Sequence, residues 1–311
     1  MQKVKKSTTL FFCISLAVVL LSGILIWGFQ TGWGDVSIRR LQLTGDGGTK
    51  ISSLIYIPKN ATAETPAPAV VIYHGRSNQA HSNDTWCMEL ARRGYVVLSP
   101  DLSGGGESDI VPVRDPQAIA VTKYAKTLDI VDPEQINICG YSLGCFTDAA
   151  VYQAMGDDIN SILFVFGPFM VDKALIDADP ANSIKCDVGI IKAVADQYDY
   201  NFIGGPDECI AKMTEIFGFD SPLVPGEVRD FNGSKFQYQQ ITGALHQTGN
   251  ISSETITAII NFEEMASPAP IQRATTDQAW GGQQFFSAVA AIAMMFLLAA
   301  TLGLMLEMPF F

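Results

Sequence analysis

A serine lies at the centre of the pentapeptide Gly140–Gly144, which reads Gly-Tyr-Ser-Leu-Gly and directly follows the apolar run Ile136–Cys139. Glycines two residues before and two residues after a serine are typical of a sharp turn between a strand and a helix, where any larger side chain would clash. Such a turn strains the serine backbone and holds the Ser142 hydroxyl clear of the sheet edge. The pentapeptide, called the elbow below, therefore predicts a serine nucleophile.

A serine hydroxyl attacks poorly until an adjacent base accepts its proton. The chain has three histidines that could serve as that base, His74, His81 and His246. A carboxylate that orients the base would complete the arrangement. The cysteines form no Cys-x-x-Cys pair and the histidines no cluster, so the sequence predicts neither a metal nor a cofactor.

The elements that must position these groups alternate along the middle of the chain. Val36–Leu43 and Lys50–Ile57 flank a glycine-rich turn and predict a hairpin. Apolar runs such as Ala69–Tyr73 predict strands buried on both faces, and segments with helical spacing separate them. The pattern predicts an α/β fold with a mostly parallel central sheet covered by helices on both faces.

Both ends of the chain contain uncharged segments long enough to cross a bilayer, Leu10–Phe29 and Phe285–Leu306. A cleaved signal and a buried core helix are the respective alternatives. Lysines before the first segment predict a cytoplasmic N-terminus and an extracytoplasmic middle domain. We therefore expect an N-terminal tail and anchor over residues 1–34, a globular domain over 35–266, a linker over 267–284, and a second transmembrane helix with a short tail over 285–311.

The net charge of the chain is −12, from 32 acidic and 20 basic residues. A protein that binds nucleic acid needs a basic surface to neutralise phosphates. The composition therefore excludes nucleic acid as an expected partner.

Four further segments, together with the elbow, follow an order that resembles the α/β-hydrolases. They are His74-Gly75 after the third predicted strand, Ala91–Val97, Asp101–Ser108, and Val131–Ile136 leading into the elbow. From about Val36 to Met265 the chain is most similar to the esterase and dienelactone-hydrolase-like branch. The resemblance implies the α/β-hydrolase fold. True dienelactone hydrolases use a cysteine nucleophile, so a serine at this position implies general ester chemistry instead.

The resemblance also implies which residues assist the serine. His246, just after the last predicted strand, occupies the place of the base. Asp196, three residues after the strand Val188–Ala193, occupies the place of the carboxylate. Asp199 is the second choice and Asp230 the third, because the interval between Asp196 and His246 is longer than the family pattern leads us to expect.

Acyl transfer needs donors that stabilise the developing oxyanion. The resemblance implies the backbone N–H of Leu143 as one donor and that of Arg76, or alternatively Gly75, as the other. Pro168–Val171 is a candidate lining of an acyl pocket, with structural packing as the alternative. The insertion Asn201–Ser234 is the expected cover of an otherwise open site.

These residues together predict a membrane-anchored serine hydrolase that cleaves carboxylic esters through an acyl-enzyme. The expected partners are a small-molecule or lipid ester as substrate and the lipid bilayer that holds the anchor. The alternatives are an acyltransferase or a peptidase built on the same residues, or a catalytically silent binding module of a membrane complex.

Overall fold

The computed structural model describes residues 5–169, 171 and 184–308. The chain divides into two compact units. One unit is formed by Val36–Asp277, and the other by the terminal segments, residues 1–35 and 278–311. The first, whose sequence resembles the α/β-hydrolases, is called the hydrolase unit below for that resemblance alone.

The hydrolase unit is built on a nine-stranded sheet with the order β1-β2-β4-β3-β5-β6-β7-β9-β8. The strands are β1 (Val36–Thr44), β2 (Lys50–Pro58), β3 (Ala67–Tyr73), β4 (Val96–Pro100), β5 (Val131–Tyr141), β6 (Ser161–Val165), β7 (Asp187–Ala193), β8 (Val228–Phe231) and β9 (Ser234–Ile241).

The six strands from β4 through β9 in the sheet order run parallel to one another. Antiparallel pairs lie at both sides of this parallel block. The predicted hairpin is β1 paired with β2, in a register that puts Val36 opposite Pro58 and Thr44 opposite Lys50. At the other edge, β8 pairs antiparallel with β9. The carboxyl ends of the parallel strands therefore meet at one edge of the sheet, where ligands bind in open α/β folds.

Helices pack on both faces of the sheet, since α3 (Asp115–Lys126) and α4 (Gly144–Met155) contact each other on one face, and α2 (Asp84–Ala91) and α7 (Ser253–Ala266) contact each other on the other. The α-helices of the described chain are α1 (Lys6–Thr31), α2 (Asp84–Ala91), α3 (Asp115–Lys126), α4 (Gly144–Met155), α5 (Gln197–Phe202), α6 (Pro206–Ile216), α7 (Ser253–Ala266) and α8 (Trp280–Leu306). Strands β3 and β4 are buried along their whole length, as their continuous apolar sequences predict. The predicted fold class is confirmed.

Two details differ from the sequence-based prediction. The Asn201–Ser234 insertion contains the short edge strand β8 in addition to α6. The hydrolase unit also extends to Asp277, beyond the predicted boundary at residue 266. The Tyr95 hydroxyl donates to the Ser267 carbonyl at 2.6 Å, and the Ile271 N–H donates to the Arg93 carbonyl at 2.9 Å. These bonds hold the first part of the predicted linker on the unit.

The terminal unit consists of α1 and α8, both long and apolar enough to cross a membrane. The two helices contact each other along their length. Phe29 stacks on Phe286 with 5.9 Å between ring centroids. At the opposite end, Glu307 accepts hydrogen bonds from the Lys5 backbone N–H at 2.6 Å and from the Thr8 hydroxyl at 2.9 Å. The helices are therefore antiparallel. The second begins at Trp280, earlier than its predicted start at Phe285.

Candidate active site

Ser142 lies between the end of β5 and the start of α4, at the edge where the parallel strands end. Its φ angle is +53°, in the left-handed region that residues other than glycine rarely adopt. The Ser142 N–H donates to the Val165 carbonyl at 2.9 Å, which ties the strained residue to the end of β6. Strain of this kind persists only where surrounding contacts enforce it, and it is concentrated at functional sites.

The glycines around Ser142 are required by close contacts with neighbouring side-chain and backbone atoms. A Cβ atom at Gly140 would lie 2.1 Å from the Asp148 carboxylate, and one at Gly144 would lie 2.3 Å from the Tyr73 carbonyl oxygen. A Cβ atom at Gly167, after β6, would lie 2.4 Å from the Cys145 sulfur. The elbow is therefore packed between β3, β6 and α4 with no room for larger residues.

His246 joins Ser142 to Asp196 through two hydrogen bonds. Its Nε2 atom lies 2.8 Å from Ser142 Oγ, and its Nδ1 atom lies 2.6 Å from Asp196 Oδ2. All three side chains are buried. An ionised carboxylate can only accept, so Nδ1 carries the proton and Nε2 is left as the acceptor of the serine hydroxyl. This is the tautomer that a general base needs.

Asp196 is held by the loop that follows β7. It is the N-cap residue of α5, and its Oδ1 atom accepts from the Tyr198 backbone N–H at 2.9 Å. His246 begins a 3-10 helix after β9. Its imidazole lies 4.5 Å from the Tyr198 ring, and its backbone carbonyl accepts a hydrogen bond from the Tyr141 hydroxyl. Asp196 and His246 are thus each fixed by neighbouring residues.

The second and third choices for the acid lie elsewhere. Asp199 is fully buried and forms an ion pair with Lys192, with 3.1 Å between Oδ2 and Nζ. Asp230 lies exposed on the edge strand β8, opposite Lys235 of β9. Of the three candidate carboxylates, Asp196 is the one that contacts His246.

The residues whose backbone N–H groups are proposed as oxyanion donors line the same cavities as Ser142. Leu143 follows the serine directly and caps α4, where the helix dipole adds to the effect of its N–H. Gly75 packs so closely that a Cβ atom there would lie 3.3 Å from Ser142 Cβ. Within the described residues, neither the Leu143 N–H nor the Arg76 N–H has a hydrogen-bond acceptor. Both are therefore free to bind a substrate oxygen.

His74 and Arg114 support the loop that carries Gly75 and Arg76. His74 is buried, with Nδ1 2.8 Å from the Gly75 carbonyl and Nε2 2.9 Å from the Leu102 N–H. Burial lowers the pKa of His74 to about 4, so its ring is neutral, donates from Nδ1 and accepts at Nε2. Arg114 donates to the His74 carbonyl at 2.6 Å, and burial lowers the pKa of Arg114 to about 10. His74 is therefore part of the scaffold and is not a second base.

In the part of the chain that the structure describes, two cavities open beside Ser142. The aromatic cavity, about 310 Å³, is lined by Phe146, Phe169, Tyr198 and Phe202 together with Arg76, Ser142 and Leu143. The polar cavity, about 300 Å³, is lined by Ser77, Asn78, Gln247 and Asn250 together with Gly75, Arg76, Tyr141, Ser142, Tyr198 and His246.

The sequence-based prediction of a pocket at Pro168–Val171 agrees with the position of Phe169, while Met170 lies outside the described residues. Phe146, Tyr198, Phe202 and Gln247 were not singled out from the sequence. The available signal was the spacing of Tyr198 and Phe202, four residues apart directly after Asp196, which places both on one side of a short helix. In the described part of the chain, no group of three or more His, Cys, Asp or Glu side chains is arranged to hold a metal.

Comparison with known proteins agrees with this architecture. Residues 68–199 match the sequence model of the family described as alpha/beta hydrolase fold. The chain has the α/β-hydrolase fold. An esterase from Pyrobaculum calidifontis superposes with a TM-score of 0.50 at 16% identity, covering 94% of each chain. A dienelactone hydrolase-like promiscuous phosphotriesterase from metagenomic libraries superposes with a TM-score of 0.52 at 15% identity, covering 82% of this chain and 99% of that one.

An acylaminoacyl peptidase from Pyrococcus horikoshii is similar over 77% of this chain and 43% of its own, with a TM-score of 0.53 at 11% identity. No curated protein matches the sequence. Identities this low establish a shared fold, while the chemistry of this chain must be argued from its own residues.

Proposed function

We propose that this protein is a membrane-anchored serine hydrolase that cleaves carboxylic esters through an acyl-enzyme. The observation that carries the proposal is the continuous hydrogen-bonded series from Asp196 through His246 to Ser142, with the serine on a strained turn. Geometry and roles, rather than sequence position, identify such an arrangement. The esterases and peptidases that share the fold act on acyl bonds, which is consistent with the proposal.

In the first half of the proposed reaction, Ser142 Oγ attacks the ester carbonyl carbon while His246 Nε2 takes the hydroxyl proton. The carbonyl oxygen becomes an oxyanion, which the N–H groups of Leu143 and Arg76 stabilise. The imidazolium then gives its proton to the leaving alkoxide, so that an alcohol departs and the acyl group stays on the serine. Asp196 holds the imidazole in the required tautomer and stabilises its positive charge.

In the second half, a water molecule attacks the acyl-enzyme as His246 takes its proton. The carboxylic acid leaves, and the same proton returns to Ser142 Oγ. No redox step and no additional reactant are required.

The anchoring part of the proposal rests on α1 and α8. Each is long enough to cross the hydrocarbon core, and each exposes a largely apolar surface. The lysines before α1 favour a cytoplasmic N-terminus and an extracytoplasmic hydrolase unit.

A fluorophosphonate probe tests the chemistry, because it reacts only with an activated serine. The full chain should be labelled, and Ser142→Ala should not. Ser221→Ala, which removes an exposed serine on the loop before β8, should be labelled like the wild type. Absence of labelling on a folded wild-type chain would favour a silent binding module. Product analysis with and without an alcohol acceptor separates hydrolysis from acyl transfer, since a transferase makes mainly the new ester and a hydrolase mainly the free acid.

A further inference from the structure

Ser142 lies where two cavities of unlike chemistry meet. We propose that the site takes esters that join a compact apolar acyl group to a polar, hydroxyl-bearing alcohol, with the acyl group in the aromatic cavity and the alcohol in the polar cavity. This inference rests on the proposed function and adds a substrate class to it.

The aromatic cavity offers apolar walls to a small apolar group. Phe169 stacks on Phe202 with 5.1 Å between ring centroids, and on Tyr198 with 5.9 Å. Phe169 is 4% exposed and forms the floor, whereas Phe202 is 54% exposed and forms the rim. Aromatic walls favour apolar ligands through buried area. The volume of about 310 Å³ is at the small end of ligand pockets, which suits a short acyl chain.

The polar cavity offers hydrogen-bonding groups instead. Ser77 and Gln247 are exposed, and Asn78 is half-buried. Asn250 is held in place, because its side-chain amide donates to the Ser82 carbonyl at 2.6 Å. Hydroxyls and amides both donate and accept hydrogen bonds, so they can bind the hydroxyl groups of an alcohol either as donors or as acceptors.

His246 determines which half of the ester enters which cavity. It lines the polar cavity only, whereas Leu143 lines the aromatic cavity only. The leaving alkoxide must take its proton from His246 Nε2, so the alcohol half has to lie on the His246 side. The acyl half, fixed by its carbonyl oxygen near the Leu143 N–H, then extends into the aromatic cavity.

Charge does not oppose this assignment. Arg76 borders both cavities and therefore does not distinguish the two halves of a substrate. Among the described residues that line the two cavities, none is an aspartate or a glutamate. A neutral polyol ester meets no repulsive group in either cavity.

Two isomeric esters test the orientation directly. Glyceryl hexanoate has an apolar acyl group and a polar alcohol, and hexyl glycerate has the same atoms with the two halves exchanged. The full chain in detergent is assayed on both, and each kcat/KM is divided by the rate of hydroxide hydrolysis of that ester. We expect the normalised value to favour glyceryl hexanoate by about tenfold or more, the discrimination that a pocket of matched polarity provides.

Two variants assign the effect to its cavity. Phe202→Ala should lower kcat/KM for glyceryl hexanoate by about tenfold while changing glyceryl acetate little, because the acetyl group does not reach the rim. Gln247→Leu should lower kcat/KM for glyceryl hexanoate and leave methyl hexanoate nearly unchanged. Each variant thus serves as the control for the other cavity.

The outcomes separate this inference from the proposed function. Equal normalised rates for the two isomers, a preference for hexyl glycerate, or variants without substrate-dependent effects overturn the substrate class while leaving the hydrolase assignment intact. If the wild type cleaves neither ester faster than Ser142→Ala and is not labelled by the fluorophosphonate probe, both proposals fall.

Discussion

Lys192 and Asp199 form an ion pair that is completely shielded from solvent, with 3.1 Å between Nζ and Oδ2. The Lys192 ammonium also donates to the Ala193 carbonyl at 3.0 Å. Burial, followed by the negative charge of Asp196, raises the pKa of Asp199 to about 6, while Lys192 opposes that rise. The pair joins β7 to α5, and it therefore braces the loop from which Asp196 reaches His246.

The two aspartates should respond differently to neutral replacement. Asp196→Asn removes the acceptor that fixes the His246 tautomer, so we expect ester hydrolysis to fall by about 10³–10⁴-fold with little loss of stability. Asp199→Asn leaves Lys192 buried without a counter-charge, so we expect the free energy of unfolding to drop by about 3 kcal/mol. Esterase kinetics and thermal unfolding of both variants measure this contrast.

Asp230→Asn is the matched control, since Asp230 lies exposed on the edge strand and should affect neither quantity. Full activity in Asp196→Asn, together with lost activity in a folded Asp199→Asn or Asp230→Asn, would falsify the assignment of the acid.

The glycines of the elbow predict a purely steric effect. Gly144→Ala places a methyl group against the Tyr73 carbonyl, which belongs to the backbone of a buried strand and cannot rotate away. We expect a loss of about 2–3 kcal/mol in the free energy of unfolding, typical of overpacking at a rigid site. Urea unfolding followed by tryptophan fluorescence measures it.

Gly233→Ala separates crowding from backbone strain. Gly233 has a φ angle of +86°, but a Cβ atom there meets nothing within 4 Å. This substitution should cost only about 1 kcal/mol. Equal losses in the two variants would contradict the steric prediction, since they would mean that the contact with β3 is relieved at Gly144, which has no positive φ angle.

Glu263 predicts a pH-dependent stability. Its side chain is fully buried on α7, and burial raises its pKa to about 8. Within the described chain, neither carboxyl oxygen has a hydrogen-bond partner. The folded state holds this proton more tightly than the unfolded state, whose glutamate pKa is about 4.3. The contribution of Glu263 to stability is therefore complete below about pH 4.3 and is lost as the pH rises through about 8.

Glu263→Gln cannot ionise and should not show this loss. Between about pH 5 and pH 8 the free energy of unfolding of the variant should rise relative to the wild type, by an amount on the order of 3 kcal/mol. Glu134→Gln, an exposed glutamate, provides the control and should show no such trend. The same pH dependence of the free energy of unfolding in Glu263→Gln and the wild type would contradict the prediction.

Membrane attachment is expected to be redundant. The full chain should stay in the membrane fraction after extraction with alkaline carbonate, because spanning helices resist that treatment. Removal of residues 1–31 or of residues 280–311 should leave attachment through the remaining helix, and removal of both should release the hydrolase unit. Release of the full chain by carbonate alone would show that neither helix spans the bilayer.

The local sequence predicts where the proposed catalytic groups lie in the fold. The elbow sets the Ser142 backbone within five residues, and the ends of β7 and β9 bring Asp196 and His246 to the same edge of the sheet. Strand order therefore places the acid and the base, even though 50 residues separate them in the chain. The sequence alone does not determine which of Asp196, Asp199 and Asp230 reaches His246. The direction of a loop after a strand depends on tertiary contacts such as the Lys192–Asp199 pair.

The sequence alone predicts neither the cavities beside Ser142 nor the boundary of the hydrolase unit. Phe146 and Phe202 belong to separate helices, and nothing in either segment alone shows that they face one space. Residues after Ala266 are rich in proline and lack periodicity, so they resemble a linker. The side chains of Arg93 and Tyr95 hold them by donating hydrogen bonds to their backbone carbonyls. Because every residue has a backbone carbonyl, such bonds produce no recognisable pattern of residue types in the sequence.

The left-handed backbone of Ser142 also restricts which residues could ever replace it. At a φ angle of +53° a side chain branched at Cβ is a severe outlier, whereas an unbranched one is tolerated. Cysteine has the same shape as serine here, so exchange of the hydroxyl for a thiol leaves the turn intact. Threonine carries an equivalent hydroxyl, but its extra methyl group opposes the turn. The branching of the side chain thus limits the repertoire of nucleophiles at this position before their reactivity is considered.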